Sequence, residues 1–372
     1  MDFTFSEEQD AVRDLATQVF EGHATPERVK EVERSEERVD RELWRALADA
    51  GLLAIAVPEE HGGSGLGLAE LCLLLEQQGR RVAPVPLWPT LVLGALAIAE
   101  FGSPEQQQAW LPGVATGEVV LTAALAEPGA NDPLRPRVKA TADGGTWRLD
   151  GEKPSVPAGH VADRVLVPAS TGDGELGVFL VDAAGPGVER TVAVTTDRSK
   201  VAHLAFAGAL AERLGGEDLD GRRATVWMLD RALVGLCATQ VGVAEGALRM
   251  AADYTSERQQ FGRPLSTFQG VALKAADAYI DTEAIRVTLW QAAWRLTAGL
   301  DATNEVMVAK WWASEGGQRV VHITQHLHGG MGADVDYPVH RYFLWGKQIE
   351  DTLGGASAQL ARLGRALAEA PV

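Results

Sequence analysis

Cysteine is almost absent from this chain of 372 residues, which contains only Cys72 and Cys237. Both lie inside apolar stretches with helical periodicity, so the chain can form neither a disulfide framework nor a thiolate metal site. This composition predicts a reducing environment and a cytoplasmic location.

Positive charge is also scarce. The chain has 34 Lys and Arg against 51 Asp and Glu, which gives a formal net charge of −17. Because the basic residues do not cluster, the surface would repel a phosphate backbone rather than neutralise it. We therefore expect neither nucleic acid nor an anionic membrane as a partner.

Long apolar runs and a signal-like start are missing as well. No uninterrupted apolar run approaches the roughly 18 to 20 residues that a membrane span needs, and the first residues are acidic and polar. A hydrophobic share of 46% is nevertheless ample for well-filled cores. These features predict a soluble globular protein with room for two or three domains.

The first part of the chain has helical periodicity. Ser6 followed by Gln9 predicts a capping box at the start of the first helix. Further helical segments are predicted at 41–50, 67–79, 89–101 and 104–111, with a Gly-rich loop at 58–67. We assign residues 1–118 to an N-terminal helical domain.

The pattern changes to short, alternating, β-branched runs after residue 119. These runs predict strands at 119–125, 147–149, 164–167, 178–181 and 192–195. They indicate a small antiparallel β barrel or sandwich over residues 119–221.

Long helices return in the last part of the chain. The periodicity predicts helices at 227–256, 268–298, 304–326 and 339–367, typical of an antiparallel four-helix bundle over residues 222–372. The predicted fold class is therefore mainly α with a central β domain. In the first of these helices, Gly235, Gly242 and Gly246 indicate close approach of a neighbouring helix or of a flat ligand.

Four separated motifs carry a family resemblance. An Arg-x-x-Phe-Gly-x-Pro-Leu-x-x-Phe-Gln run spans Arg258 to Gln269, where it projects a charge and an apolar ring from a corner between two helices. The others are Pro-Glu-Glu-His-Gly-Gly at 58–63, Glu-Pro-Gly-Ala at 127–130, and His-Gly-Gly-Met-Gly at 328–332 followed by Tyr-Pro-Val at 337–339. In order and spacing, the chain resembles the acyl-CoA dehydrogenase family over nearly its whole length.

The resemblance implies an FAD cofactor that is shared between subunits. Part of each cofactor would contact the neighbouring subunit, with Arg258 and Phe261 at its pyrophosphate and adenosine part and His326 beside two glycines on the opposite wall. The family usually has glutamine where His326 stands. The cofactor-binding residues carried over from the resemblance are Arg258, Phe261, Gln269, His326, Gly329 and Gly330.

The resemblance also shows which catalytic residue is missing. The family removes the α-proton of the thioester with a glutamate, and ungapped counting places Leu353 at that position. Some members carry the glutamate on the first long helix of the bundle, where this chain has Ala232 and Leu233. No catalytic residue is therefore assigned, and the carboxylates that could act as a displaced base are Asp230, Glu350 and Asp351.

A second departure concerns the strand that faces the flavin ring in the family. Its Trp-Ile-Thr is replaced by Ser155, Val156 and Pro157, which removes an aromatic plate, a hydroxyl and a backbone donor. The strand before Gly129 keeps its Glu-Pro-Gly but lacks the usual neighbouring hydroxyl residues. The chain's own flavin groove is thus expected to be poorly equipped.

Especially through His-Arg-Tyr-Phe-Leu at 340–344 and Thr-Leu-Gly-Gly-Ala at 352–356, the chain resembles the non-catalytic partners in α2β2 acyl-CoA dehydrogenases of actinobacterial steroid side-chain degradation, including cholesterol catabolism. The leading hypothesis is an FAD-site-completing subunit that pairs with a catalytically complete subunit, uses a steroid CoA thioester, and passes electrons to an electron-transfer flavoprotein. Two alternatives remain. One is a self-sufficient dehydrogenase with a displaced base, and the other is an acyl-CoA-binding protein without redox activity.

Overall fold

The computed structural model describes residues 4–129, 132–172 and 174–369. Ala130 of the Glu-Pro-Gly-Ala motif lies outside these residues. The chain forms two compact units, and neither is continuous in sequence. The first unit comprises Met1–Lys30, Cys72–Ala83 and Leu233–Val372, and the second comprises Glu31–Leu71 and Pro84–Ala232.

The described residues contain eleven α-helices, and a π-helical segment at Trp88–Ala95 precedes the fifth. In chain order they are α1 (Glu7–His23), α2 (Pro26–Arg34), α3 (Arg41–Asp49), α4 (Leu68–Arg81), α5 (Leu96–Phe101), α6 (Pro104–Ala115), α7 (Gly221–Glu257), α8 (Gln269–Thr297), α9 (Thr303–Leu327), α10 (Val339–Asp351) and α11 (Ala356–Glu369).

The start of α1 confirms the predicted capping box. The backbone N–H of Gln9 donates to the hydroxyl of Ser6 over 3.2 Å, and the backbone N–H of Ser6 donates to the side-chain oxygen of Gln9 over 3.1 Å. Two of the N–H groups that a helix start leaves without an intrahelical partner are satisfied in this way.

Glycines bring α4 and α7 into close contact in the first unit. A Cβ atom at Gly242 would overlap the backbone carbonyl of Glu76, and one at Gly79 would overlap the carbonyl of Thr239. Of the two explanations that the sequence offered for the glycines of α7, a neighbouring helix accounts for Gly242.

Helix α7 corrects the expectation that no segment is long and apolar enough to cross a membrane, since its 37 residues meet that test by length and composition. However, 72% of its apolar window is buried inside the protein. Val234, Cys237 and Val241 are fully buried. The apolar side chains of α7 are therefore those of a core helix.

The predicted single helix at 339–367 is wrong, because α10 ends at Asp351 and α11 begins at Ala356. Thr352 is extended, and Leu353 and Gly354 have φ angles of 59° and 98°. An α-helix cannot continue through residues in the left-handed region, and glycine is the residue that adopts it most readily.

The second unit contains a seven-stranded sheet in its described residues. Its strands are β1 (Leu121–Ala123), β2 (Lys139–Asp143), β3 (Thr146–Pro157), β4 (Arg164–Gly172), β5 (Glu175–Asp182), β6 (Val188–Val194) and β7 (Lys200–Arg213). The sequence analysis did not predict β2 or β7.

Five of these strands close into a ring in the order β4, β2, β3, β7 and β5, with β5 pairing back to β4. Strand β1 is added to β4 and β6 to β7. The pairings of β4 with β1 and with β2 are parallel, whereas the others are antiparallel, so the predicted antiparallel barrel needs this correction. Val156, Val167, Phe179 and Leu204 are fully buried and contribute to the core of this unit.

Candidate functional site

The Arg-x-x-Phe-Gly segment forms a small β-hairpin after α7. Strands β8 (Gln259–Gln260) and β9 (Arg263–Pro264) pair, and the two residues between them, Phe261 and Gly262, have φ angles of 53° and 77°. Two consecutive positive φ angles are the signature of a type I′ hairpin turn. This turn leaves Phe261 94% exposed, with its ring 6.2 Å from that of Phe268.

The second predicted segment lies at the end of α9. His326 is exposed in the last helical turn, and Gly329 and Gly330 follow it in a short 3-10 helix. Gly329 has a φ of 59°, and a Cβ atom at either glycine would meet nothing within 4 Å. The backbone at this turn is therefore open to close approach by a ligand.

Three aromatic side chains to which the sequence analysis assigned no role lie between the hairpin and the glycine turn. The ring of His328 stacks on that of Tyr254, with centroids 4.7 Å apart and planes at 26°, and Tyr337 lies 5.3 Å from His328. Tyr254 is one helical turn before Arg258 and His328 directly precedes Gly329. The stack therefore connects the two predicted cofactor-binding segments.

The six predicted cofactor-binding residues are all exposed in the first unit. We call them the lending surface: Arg258, Phe261, Gln269, His326, Gly329 and Gly330. Within the part of the chain that the structure describes, no ion-pair partner is found for the guanidinium of Arg258. A free guanidinium, an exposed aromatic ring and an open glycine backbone suit the pyrophosphate and adenosine part of FAD.

Strand β3 of the second unit, which the resemblance places against the flavin ring, is distorted. The pairing of β3 with β7 shifts register between Lys153 and Val156, and Ser155 is exposed at a φ of 50°. The carbonyl of Pro157 accepts a hydrogen bond from the hydroxyl of Thr122 over 2.7 Å. Ser155 supplies no aromatic plate and Pro157 supplies no backbone donor, so this strand lacks both groups that the resemblance implies for the flavin ring.

A buried ion pair links the Glu-Pro-Gly segment after β1 to strand β3 in the second unit. The ammonium group of Lys153 donates to the carboxylate of Glu127, and both side chains are fully buried. The same carboxylate accepts the backbone N–H of Arg137 over 3.1 Å. Burial lowers the pKa of Lys153, and the charge of Glu127 opposes that shift.

Neither base position carries a group that can accept a proton. Leu353 is half-buried in the turn after α10, and Ala232 and Leu233 are buried in α7. The indole N–H of Trp88 donates to the carbonyl of Ala232 over 3.0 Å, which places an aromatic side chain against the second base position.

The three carboxylates proposed as displaced bases have different surroundings. Glu350 pairs with Lys347 on the same helix, Asp351 is exposed, and Asp230 is half-buried. Burial lowers the pKa of the neighbouring Arg231 to about 10, an effect that Glu100 and Asp230 oppose. Of the three, Asp351 lies nearest in sequence to the turn of Leu353.

A buried lysine caps the helix that leads into this turn. Nζ of Lys310 donates to the carbonyls of Ile349 and Glu350 over 2.9 and 3.0 Å and to the hydroxyl of Ser314 over 2.8 Å. Burial lowers the pKa of Lys310 to about 8. Lys310 satisfies carbonyls that the end of α10 leaves without partners, and so fixes where the turn begins.

A charged network that the sequence did not reveal joins α4, α7 and α8. Arg286 bridges Glu76 over 3.4 Å and Glu245 over 3.1 Å, and Arg80 contacts Glu245 over 2.7 Å. Burial raises the pKa of Glu76 to about 7 in spite of the nearby Arg286. In the ranges 4–129, 132–172 and 174–369, no group of three His, Cys, Asp or Glu could hold a metal ion.

The helical regions around a central β sheet have the acyl-CoA dehydrogenase fold. The N-terminal domain family of acyl-CoA dehydrogenases matches residues 6–118 and the C-terminal domain family matches residues 220–367. The chain belongs to the acyl-CoA dehydrogenase family, whose members are FAD-dependent.

Its relatives include acyl-CoA dehydrogenase FadE27 of Mycobacterium tuberculosis, which is 44% identical over the full length of both chains. Among solved structures, a chain of the ChsE4-ChsE5 complex from Mycobacterium tuberculosis is 43% identical with a TM-score of 0.94 over the full length of both. A chain of the Tcur3481-Tcur3483 steroid ACAD is 54% identical with a TM-score of 0.92 over 98% of both.

Proposed function

We propose that this chain is the non-catalytic subunit of an α2β2 acyl-CoA dehydrogenase and completes the FAD site of a catalytically complete partner. One contrast carries the proposal. Leu353, Ala232 and Leu233 occupy both base positions, whereas Arg258 and Phe261 remain exposed in a well-formed hairpin.

The reaction needs a base at the α-carbon of the thioester, and bound FAD supplies the acceptor for the hydride of the β-carbon. In the proposed complex the partner provides the base. This chain binds the anionic pyrophosphate through Arg258, presents Phe261 to the adenosine part, and lets the cofactor approach the backbone at Gly329 and Gly330. Its contribution is binding and orientation rather than proton transfer.

The relatives support the heteromeric and steroid parts of the proposal. Two of the similar structures are named as pairs, ChsE4-ChsE5 and Tcur3481-Tcur3483, and the second is named a steroid ACAD. We therefore propose a steroid side-chain CoA thioester, as in cholesterol catabolism, as the substrate of the complex. A cytoplasmic location and an electron-transfer flavoprotein as acceptor rest on the composition and the family resemblance.

Co-expression tests the proposal. The chain expressed alone should be colourless and inactive, whereas co-expression with a complete acyl-CoA dehydrogenase subunit should yield a yellow complex with one FAD per pair of unlike subunits. Flavin absorbance against protein concentration measures this ratio. A yellow, active preparation of this chain alone contradicts the proposal.

The exposed Asp351 beside the Leu353 turn favours one second candidate, a self-sufficient dehydrogenase with a displaced base. For this candidate, Asp351→Asn should abolish turnover by the chain alone, with Glu350→Gln and Asp230→Asn as the matched replacements of the other two carboxylates. Unchanged turnover excludes the residue that was replaced.

A further inference from the structure

The aromatic stack of Tyr254, His328 and Tyr337 is the strongest feature of the first unit that the proposed function does not use. Each of its members belongs to a different part of the chain: Tyr254 to the end of α7, His328 to the end of α9, and Tyr337 to the segment before α10. Because the stack lies between the hairpin and the glycine turn, it can hold these two parts of the lending surface in position.

The stack is well defined by its contacts. His328 is only 2% exposed, and its Nδ1 lies 2.7 Å from the carbonyl of Thr324. Because a carbonyl only accepts, Nδ1 is the donor in this hydrogen bond. The ring is thereby held at a fixed angle on the last turn of α9, with one face against Tyr254.

Tyr254, on the other side of the stack, is connected to the hairpin through backbone hydrogen bonds. The backbone N–H of Arg258 donates to the carbonyl of Tyr254 over 2.9 Å, and the carbonyl of Arg258 accepts from the backbone N–H of Leu265 over 2.9 Å. Tyr254 therefore stands at the base of the hairpin, as His328 stands at the base of the glycine turn. The hairpin itself is exposed, so we expect the contacts at its base to influence where Arg258 points.

We infer that the stack of His328 on Tyr254 is a positioning device. It holds the Arg258 hairpin and the Gly329–Gly330 turn in a fixed relative position, so that both contact the FAD of the neighbouring subunit. The inference rests on the proposed function. It assigns His328 a role through Tyr254, by ring stacking, rather than as a direct ligand of the cofactor.

Replacement of His328 separates stacking from hydrogen bonding. In the complex with the complete subunit, His328→Ala should raise the dissociation constant of FAD about fivefold, because an aromatic pair contributes on the order of 1 kcal/mol beyond its buried area. His328→Phe keeps an aromatic ring without ring nitrogens, and we expect it to restore most of the affinity. Flavin fluorescence during dilution of the complex measures both values.

Two results overturn the inference: equal loss of affinity in the alanine and phenylalanine variants, or no loss in either. Val306→Ala is the matched control, because it truncates a buried side chain near the start of the same helix without touching the stack. This control should lower the melting temperature yet leave FAD affinity unchanged. If it weakens FAD as much as His328→Ala, general destabilisation explains the effect and the positioning role is rejected.

A measurement without flavin separates this inference from the proposed function. In the full chain alone, His328→Ala should speed amide hydrogen exchange at Leu265, whose N–H closes the hairpin, and His328→Phe should not. If the wild-type complex binds no FAD, the proposed function fails. If the wild-type complex binds FAD but exchange at Leu265 is unchanged by His328→Ala, the positioning inference fails alone.

Discussion

Relative to the family pattern, the lending surface of the first unit has kept more of its residues than the β3 strand of the second unit. The lending surface keeps Arg258 and Phe261 of the family pattern, although His326 stands where the family usually has glutamine, and the hairpin and stack beneath it are well formed. The β3 strand has lost its ring-facing residues at Ser155 and Pro157 but keeps a buried ion pair beside them. The second unit has therefore kept its buried scaffold without the ring-facing residues of the family pattern, whereas the first unit has kept both its scaffold and the Arg258 hairpin.

The largest expected effect is on the unfolding free energy of the second unit, through its buried ion pair. Lys153→Met leaves the carboxylate of Glu127 buried without its partner, which should cost about 3 to 5 kcal/mol of unfolding free energy. Denaturant unfolding measures the loss. The double variant Lys153→Met with Glu127→Leu should recover much of it, because no uncompensated charge remains; no recovery would mean that the pair is not the reason for the loss.

A pH experiment probes the charged network of the first unit. The folded pKa of Glu76 is about 7, against an ordinary value of 4.5, so the folded state binds the proton more tightly than the unfolded state. Stability contributed by this group is present below pH 4.5 and is lost as the pH rises towards 7, in total on the order of 3 kcal/mol.

Glu76→Gln should flatten this part of the stability curve, as measured by unfolding between pH 4.5 and 7.5. Glu283→Gln is the matched control, because Glu283 also contacts Arg286 but is much more exposed. A wild-type curve that rises through this range contradicts the assigned shift.

The lending surface itself is tested by Arg258→Ala. Loss of a charge-assisted contact to pyrophosphate should weaken FAD retention by the complex by about 1.5 to 3 kcal/mol, or roughly tenfold to 150-fold. Flavin content after gel filtration measures it. Arg249→Ala provides the control, since Arg249 is an exposed arginine of the same helix whose partner is Asp253. Equal flavin content in the two variants removes the basis for the lending role.

The smallest expected effect is that of a restored carboxylate on turnover, for which we expect no change. Leu353→Glu restores a carboxylate to the base position of the turn, yet Ser155 and Pro157 still leave the ring-facing strand unsuited to flavin. We therefore expect no turnover of an acyl-CoA by this variant alone in a dye-reduction assay. Measurable turnover would mean that a missing base was the only defect, and the contrast between the two regions would fail.

Local sequence pattern predicted much of the fold. The capping box of Ser6 and Gln9, the long helices of the bundle and several strands follow from spacings of two to four residues, which neighbouring residues enforce on each other. The break at Leu353 was missed because helical periodicity continues on both sides of it. The left-handed turn there is stabilised by Lys310, which lies 43 positions earlier in the chain and cannot be related to the turn by periodicity.

The sequence by itself determined the family, the helical, β and helical order of the three regions, and which residues stand at the two counted base positions, Leu353 and Ala232. Tertiary structure decided which distant side chains meet: Lys153 with Glu127, Arg286 with Glu76, and His328 with Tyr254. The physical reason is that helix and strand periodicity depends on near neighbours, whereas ion pairs and ring stacks depend on how whole elements pack. The lending surface depends on near neighbours and on packing. Its sequence motifs are local, but the relative position of its hairpin and glycine turn is fixed by packing.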